Sequence, residues 1–416
     1  MTAEQVLRPL PDGLGTRLRA WAFEHVDLAF GLLRAVKPIL KVGGTVLVTR
    51  YDDVREVFLT DDAFPVPYRA KLDVIMGGCP FFLGMADTPE YRRDTAAMRK
   101  AILREDIPVR LAGAVETLAE RIVDEGGGRL EVVDELVRRV TFAVLSDYFG
   151  VPDPPGADLR VWATRLFEFQ FADPGDDPAL RADVDRMAPA LRDHIDRLIA
   201  ARRGSNTTGS DFEGDDVLGR CLALQRQGEP GFSDEQIRTA LMGMIVGGPP
   251  QPPMVVPQAL EQLLRRPDAL MGAQAAARSG DDALLAGYVF EAMRFDPLAP
   301  ALPRVAARDH RIAVGTPRET LVPKGATVLA AFRSAMHDGR RIPDPGRFDP
   351  RRMQHEYIHF GHGLHTCFGI HMNRVLLPLM LKPLLRRNRL RRAPGPEGHL
   401  TKRGPFAERL RVVYDA

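Results

Sequence analysis

Cys367 lies in the run His359-Phe360-Gly361-His362-Gly363-Leu364-His365-Thr366-Cys367-Phe368-Gly369, a loop suited to presenting one sulfur to one partner. Glycines at 361, 363 and 369 allow backbone geometries closed to other residues, so several peptide N–H groups can turn toward a thiolate. A sulfur held in this way suits a soft metal centre. Two other readings belong to the same residues. A cysteine can be a small buried hydrophobe. His355, His359, His362 and His365 with Cys367 would make a zinc cluster, although structural zinc sites more often use paired Cys-x-x-Cys spacing.

Glu291-Ala292-Met293-Arg294 falls in an amphipathic stretch, Leu284 to Phe295, where the i to i+3 spacing puts both charged heads on one helix face. Leu284, Leu285, Val289, Phe290 and Met293 predict burial of one face, and a charge pair beside it needs further partners. Pro345-Gly346-Arg347-Phe348-Asp349-Pro350-Arg351-Arg352 supplies a candidate. These motifs, in this order, resemble those of the cytochrome P-450 family. Phe360, Gly363, His365, Cys367 and Gly369 match its Phe-x-x-Gly-x-His-x-Cys-x-Gly heme loop, Glu291 and Arg294 its Glu-x-x-Arg pair, and Arg352 the last arginine of its Pro-x-x-Phe-x-Pro-x-Arg segment.

The resemblance implies heme b with the Cys367 thiolate as axial iron ligand, pushing electron density toward bound oxygen. It implies a Glu291-Arg294-Arg352 network under the loop, and Phe360, Gly361 and Gly369 around the cofactor. His365 and Arg304, the latter in Leu302-Pro-Arg-Val-Ala306, match positions that grip heme propionates. In Asp87-Thr88-Pro89-Glu90-Tyr91-Arg92-Arg93-Asp94-Thr95, Tyr91 and Thr95 replace the family's histidine and arginine. Arg99, one turn beyond Thr95 on the same helix face, is the candidate substitute.

One stretch departs from the family. Oxygen-activating members carry a small-Gly-x-acid-Thr pattern whose acid and alcohol deliver protons. Here Gly247 and Gly248 keep the small pair, but Pro250 stands in the acid's place and Gln251 in the threonine's, inside Pro249-Pro250-Gln251-Pro252-Pro253. Proline in a helix interior removes a donor and clashes with the preceding turn, at about 3 kcal/mol each. The run predicts a break or sharp bend, and Gln251 can donate a hydrogen bond without supplying a proton as an acid does.

The activity implied is that of a cytochrome P-450-type monooxygenase or peroxygenase with non-standard oxygen activation. Gly247, Gly248 and Gln251 line the oxygen face, and a ferredoxin or reductase donates electrons. The alternatives are a peroxide- or hydroperoxide-using peroxygenase or isomerase, for which a missing acid matters less, and a non-catalytic heme or partner-binding protein of the same fold. By the same resemblance the pocket walls are Val74 to Leu83, Leu166 to Phe171, Leu241 to Gly248 and Leu298 to Leu302. Their Ile75, Met76, Phe81, Phe82, Phe167, Phe169, Phe171, Met244 and Leu298 point to an apolar small molecule as substrate.

The elements that must position these residues are mostly helices: Val109 to Glu125, Glu131 to Phe149, Leu159 to Phe171, Pro178 to Arg203, Ser233 to Val246, Val255 to Arg266 and Gly369 to Arg387. Strands are few, with Thr327–Ala331 and Leu410–Tyr414 as candidates, and Thr45 to Val54 resembles the family's first strand and the helix that follows it. The expected class is mainly α with a minor β-sheet, the cytochrome P-450 fold, as one domain over 1–416. Residues 204–214 read as a polar surface loop. The 416 residues are 45% hydrophobic, enough for a large core, and a net charge of +2 carries no signature of nucleic-acid binding. A basic run at Arg386, Arg387, Arg389, Arg391 and Arg392 is a solvated surface or a docking patch for an acidic electron donor. Three cysteines that cannot all pair, and no long apolar run at residues 1–20 or elsewhere, predict a cytoplasmic protein without membrane insertion.

Overall fold

The computed structural model describes residues 26–204, 215–353 and 356–416. The loop at 205–214, the stretch 1–20 and His355 therefore lie outside the described residues. The chain divides into two compact units, one of Tyr68–Pro253 and one of residues 26–67 with Met254–Ala416. The helices that bear on function are α1 (Tyr51–Leu59), α2 (Arg69–Met76), α3 (Pro89–Ala101), α4 (Leu159–Phe171), α5 (Pro178–Gly204), α6 (Asp234–Gly247), α7 (Pro252–Leu264), α8 (Asp282–Phe295) and α9 (Ile370–Arg386). Among the described residues, no helix is long and apolar enough to cross a membrane.

In the unit of residues 26–67 and Met254–Ala416, four short strands form a mixed sheet: β1 (Ile39–Val42), β2 (Thr45–Val48), β3 (Leu302–Val305) and β4 (Thr327–Ala330), in the order β1-β2-β4-β3. Gly43 and Gly44 turn β1 into β2, with Gly43 at φ +56° where a side chain is disfavoured. β2 runs parallel to β4, pairing Thr45 with Thr327, and β3 pairs antiparallel with β4, setting Arg304 opposite Val328. The alternation in β2 and β4 sends Val46, Val48, Val328 and Ala330 into one core with Val54 and Phe58 of α1.

In the Tyr68–Pro253 unit, α5 packs on both α4 and α6. Asp158 caps α4, and Ser233 with Gln236 forms a reciprocal capping box at the start of α6. The predicted starts at Val109 and Glu131 differ from the fold. Regular α-helix begins only at Ala112 and Arg139, after wider turns at Ile107–Leu111 and Val132–Arg138. Pro108 withholds one N–H in the first of these turns. Before the second, the Glu131 carboxylate accepts the N–H groups of Val133 and Asp134 at 3.0 and 2.6 Å.

The proline run divides α6 from α7. α6 ends at Gly247, residues 248–251 are non-helical, and α7 begins at Pro252. Pro252 and Pro253 thus occupy the first turn of a helix, where a missing N–H would have had no intrahelical partner.

Candidate functional site

The cysteine loop is shaped by its glycines. Gly361 and Gly363 adopt φ +74° and +76°, and a Cβ on Gly363 would stand 2.7 Å from the Phe58 carbonyl oxygen of α1. The loop therefore sits flush on the end of α1 because residue 363 has no side chain. Its backbone closes on itself: Cys367 N–H donates to the Phe360 carbonyl at 2.8 Å and Thr366 N–H to that of Gly363 at 3.1 Å. Cys367 is half-buried, three residues before α9 begins.

Burial pushes the Cys367 thiol up. The Gly369 N–H and the Asn373 amide, whose Nδ2 lies 3.8 Å from Sγ, act in the opposite direction and favour the thiolate. The start of α9 adds the positive end of a helix dipole. Desolvation outweighs these donors, so a coordinated cation is what would hold this sulfur ionised at neutral pH. The donor set fits a single-thiolate centre such as heme iron. Among the described residues, no three His, Cys, Asp or Glu side chains converge on a metal position, so the zinc reading has no support there.

Beneath the loop, Glu291 and Arg294 of α8 form a fully buried pair, with Nη2–Oε1 at 2.7 Å and Nε–Oε2 at 2.9 Å. Arg294 also donates to the carbonyls of Met336, Pro345 and Arg347 at 3.1, 2.8 and 3.2 Å. Arg352 Nε lies 3.5 Å from Glu291 Oε2, as the motif spacing predicts. Sequence reasoning missed two further donors to this carboxylate: Asp349 N–H at 3.0 Å and Tyr357 hydroxyl at 2.8 Å. Asp349 lies inside the quoted proline segment, but nothing in its type marks its N–H as the one that matters.

The histidines take separate structural roles. His359 Nε2 donates to the Phe290 carbonyl at 3.0 Å, its ring stacks 4.9 Å from that of Tyr357, and desolvation drives its pKa down to about 3. His362 meets the Arg55 guanidinium at 3.2 Å, and burial lowers its pKa too. His365 Nε2 lies 3.1 Å from Asp61 Oδ1. Arg304, nearly buried on β3, lies over the Phe58 ring at 5.0 Å and donates to the Pro303 carbonyl at 2.9 Å. Phe360 packs with Phe290 at 6.1 Å between ring centroids.

The other candidates belong to the Tyr68–Pro253 unit, except Leu298, which belongs to the unit of residues 26–67 and Met254–Ala416. Tyr91 and Arg99 lie eight residues apart on α3, with Tyr91 half-buried and Arg99 exposed. Thr95 between them turns its hydroxyl to the Tyr91 carbonyl at 2.7 Å. Gly247, Gly248 and Gln251 come together at the break after α6: Gln251 N–H donates to the Gly248 carbonyl at 3.2 Å, and the Gln251 side-chain amide donates to the Gly247 carbonyl. Pro249 and Pro250 are buried beside them. The expected pocket residues Ile75, Met76, Phe81, Phe82, Phe167 and Phe169 are each at most 4% exposed, whereas Phe171, Met244 and Leu298 are half-buried.

The basic run after α9 is largely tied down. Arg389 pairs with Asp415 at 2.6 Å and Arg392 with Glu261 at 2.7 Å.

A model of the Cytochrome P450 family matches residues 42–405. The chain is 27% identical over 352 residues to cytochrome P450 monooxygenase PikC of Streptomyces venezuelae, covering 82% of this chain and 77% of that one. A shorter match, 37% identical over 121 residues, falls on the bifunctional dioxygenase (DOX)-epoxy alcohol synthase (EAS) of Pyricularia oryzae and covers 29% of this chain and 10% of that one. Among solved structures, ligand-free cytochrome P450 TbtJ1 superposes with a TM-score of 0.76 at 25% identity, over 98% of this chain and 100% of that one.

Proposed function

This chain is a member of the cytochrome P450 family, and on that premise we propose that it oxidises an apolar small molecule at a heme held by Cys367, without a protein acid at its oxygen face. The family's heme, bound through a cysteine thiolate, supplies oxygen-transfer chemistry. In this reading His365, Arg304, Tyr91 and Arg99 grip the propionates, and Phe360, Gly361 and Gly369 surround the cofactor. A ferredoxin or reductase brings electrons.

The observation that carries the reading is the hydrogen bond from the Gln251 amide to the Gly247 carbonyl. One amide hydrogen is committed there; the second can donate a hydrogen bond without being given up as an acid's proton is, and Oε1 only accepts. Pro250 contributes neither a carboxyl nor an N–H. Protons for oxygen chemistry must then come from ordered water or from a polar group of the substrate.

A second reading is favoured by the 37% local identity to the dioxygenase–epoxy alcohol synthase. It takes a hydroperoxide as oxidant, whose oxygen–oxygen bond is already reduced, so side-chain proton delivery matters less. One experiment separates the two. Turnover of a lipid and terpenoid library is measured in parallel with reductant plus dioxygen and with hydroperoxide alone, in the wild type and in Pro250→Asp with Gln251→Thr. Slow, poorly coupled dioxygen turnover that improves in the double variant supports the first reading. Hydroperoxide turnover that the double variant leaves unchanged supports the second. Tightly coupled dioxygen turnover by the wild type on a substrate without any polar group, not improved in the double variant, would falsify the reading that the missing acid limits this site.

A further inference from the structure

Tyr357 is a half-buried phenol set between a proton acceptor and the cysteine loop. Its hydroxyl donates to Glu291 Oε2 at 2.8 Å, and burial together with that carboxylate holds the phenol far above its ordinary range. It is therefore fully protonated at rest. On the other side, the Tyr357 ring stacks 4.9 Å from that of His359, inclined by 28°. The His359 ring meets that of Phe360 at 6.3 Å, and the Phe360 carbonyl accepts the Cys367 N–H at 2.8 Å. A path of contacts thus runs from the phenol to the sulfur assigned to the heme.

Losing an electron turns a phenol into a strong acid. Charge left unneutralised in a protein interior is costly, so a tyrosine oxidised there needs a base already bonded to its hydroxyl. Glu291 is that base. When it takes up the proton, Arg294 keeps its carbonyl acceptors at Met336, Pro345 and Arg347, and Arg352 keeps Glu356, whose Oε2 lies 3.7 Å from its Nη1. Tyr148 is the natural comparison. Its hydroxyl donates to Asp106 at 2.8 Å and its phenol is likewise pushed up, but it belongs to the Tyr68–Pro253 unit, where its ring lies against Phe149 and Arg110.

We infer that Tyr357 is a redox-active residue, which gives an electron to the heme when a peroxide or peracid has oxidised it and no substrate is at hand. In that step the Tyr357 O–H bond breaks and one electron passes to the oxidised heme by way of the His359 and Phe360 contacts. The proton forms an O–H bond at Glu291 Oε2, and the ring is left as a neutral radical. A reductant such as ascorbate then supplies the electron that restores the phenol, and Glu291 returns the proton. Oxidising power is spent on a residue that can be renewed, instead of on the porphyrin or the thiolate. This role rests on Cys367 holding heme and is indifferent to which oxidant serves turnover.

The test uses heme-loaded, substrate-free protein mixed with meta-chloroperbenzoic acid and freeze-quenched for electron paramagnetic resonance. Only protein with the thiolate-type ferrous carbonyl band is taken forward, so a failure of heme ligation is read separately. The wild type should give a tyrosyl radical, identified by the narrowing of its signal when ring-deuterated tyrosine is incorporated. Tyr357→Phe, which keeps the stack on His359, should lose that signal and bleach its Soret band faster; Tyr148→Phe should match the wild type in both. If Tyr357→Phe takes up no heme, Tyr148→Phe decides alone: electron–nuclear double resonance in deuterated buffer should show an exchangeable deuteron bonded to the phenoxyl oxygen. No tyrosyl signal from the wild type, a signal that survives Tyr357→Phe, one lost in Tyr148→Phe, one without that deuteron, or equal bleaching rates in wild type and Tyr357→Phe each overturn the role.

Discussion

The cysteine loop and the proline break are both irregular backbone, and they treat their polar groups in opposite ways. In the loop, glycines at positive φ make the irregularity, the peptide groups bond within the loop, and one sulfur is left whose natural counter-charge is a cation outside the chain. At the break, prolines make the irregularity by removing donors, and a side-chain amide from the same segment meets the freed Gly247 carbonyl. The first is built to offer a group and the second to use its groups up. Irregular backbone is therefore a weak sign of chemistry by itself; the polar valence left over after local bonding is a better one.

The most severe test of the contrast is Cys367→Ser. The serine oxygen lacks thiolate donation, so the thiolate-type ferrous carbonyl band and both dioxygen- and peroxide-driven turnover should fall to background, with helical circular dichroism retained. A normal spectrum would move the ligand to another residue and remove the loop's side of the comparison.

Glu291→Ala comes next. It leaves Arg294 and Arg352 without their shared carboxylate, a loss of about 3–5 kcal/mol for a buried pair. Reduced soluble yield and low heme content should result, read by pyridine hemochrome and thermal melting; wild-type values for both would reduce the network to an incidental contact.

A smaller effect is expected at acidic pH. His359 has its folded pKa lowered from 6.5 to about 3, so below pH 6.5 the unfolded chain binds the proton more readily than the folded one. Stability should therefore be fully present above pH 6.5 and decline as pH falls toward 3. His359→Gln, which can keep the bond to the Phe290 carbonyl, should flatten this slope. Urea midpoints at pH 7 and pH 5 measure it, and equal slopes in the two proteins would discard the assignment.

The mildest change is Gln251→Leu, which strips the Gly247 carbonyl of its donor at a cost of about 1–3 kcal/mol. Gln251→Thr, whose hydroxyl can reach back to the carbonyl four residues earlier, should restore much of it. If denaturation midpoints for Leu and Thr coincide, the break does not depend on that bond.

Much of the loop is legible in the sequence, because its glycines, histidines and cysteine are spaced by local backbone requirements. The Glu291–Arg294 pair was legible from helical spacing, and Arg352 from the family's motif order. Tyr357 and the Asp349 N–H were not, since an unremarkable hydroxyl and a peptide group become partners of Glu291 only when separate segments fold together. The histidines invited a metal reading by composition, yet three of them point to three different partners. At the break, four prolines announced an interruption. That two of them are harmless in the first turn of α7 depends on where that helix restarts, which propensity alone leaves open by several residues.

The parallel pairing of β2 with β4 joins residues 45–48 to residues 327–330, and this has a consequence for how the chain is made. At a synthesis rate of about 5–20 residues per second, the first strand must wait roughly 15–55 s for its neighbour to leave the ribosome. The whole Tyr68–Pro253 unit emerges during that interval and is free to condense first, whereas the β1–β2 hairpin, too small to be stable alone, keeps an unpaired apolar edge until its distant partner arrives. Newborn chains are thus most exposed to aggregation at this edge, at a point in synthesis before Cys367 has been translated.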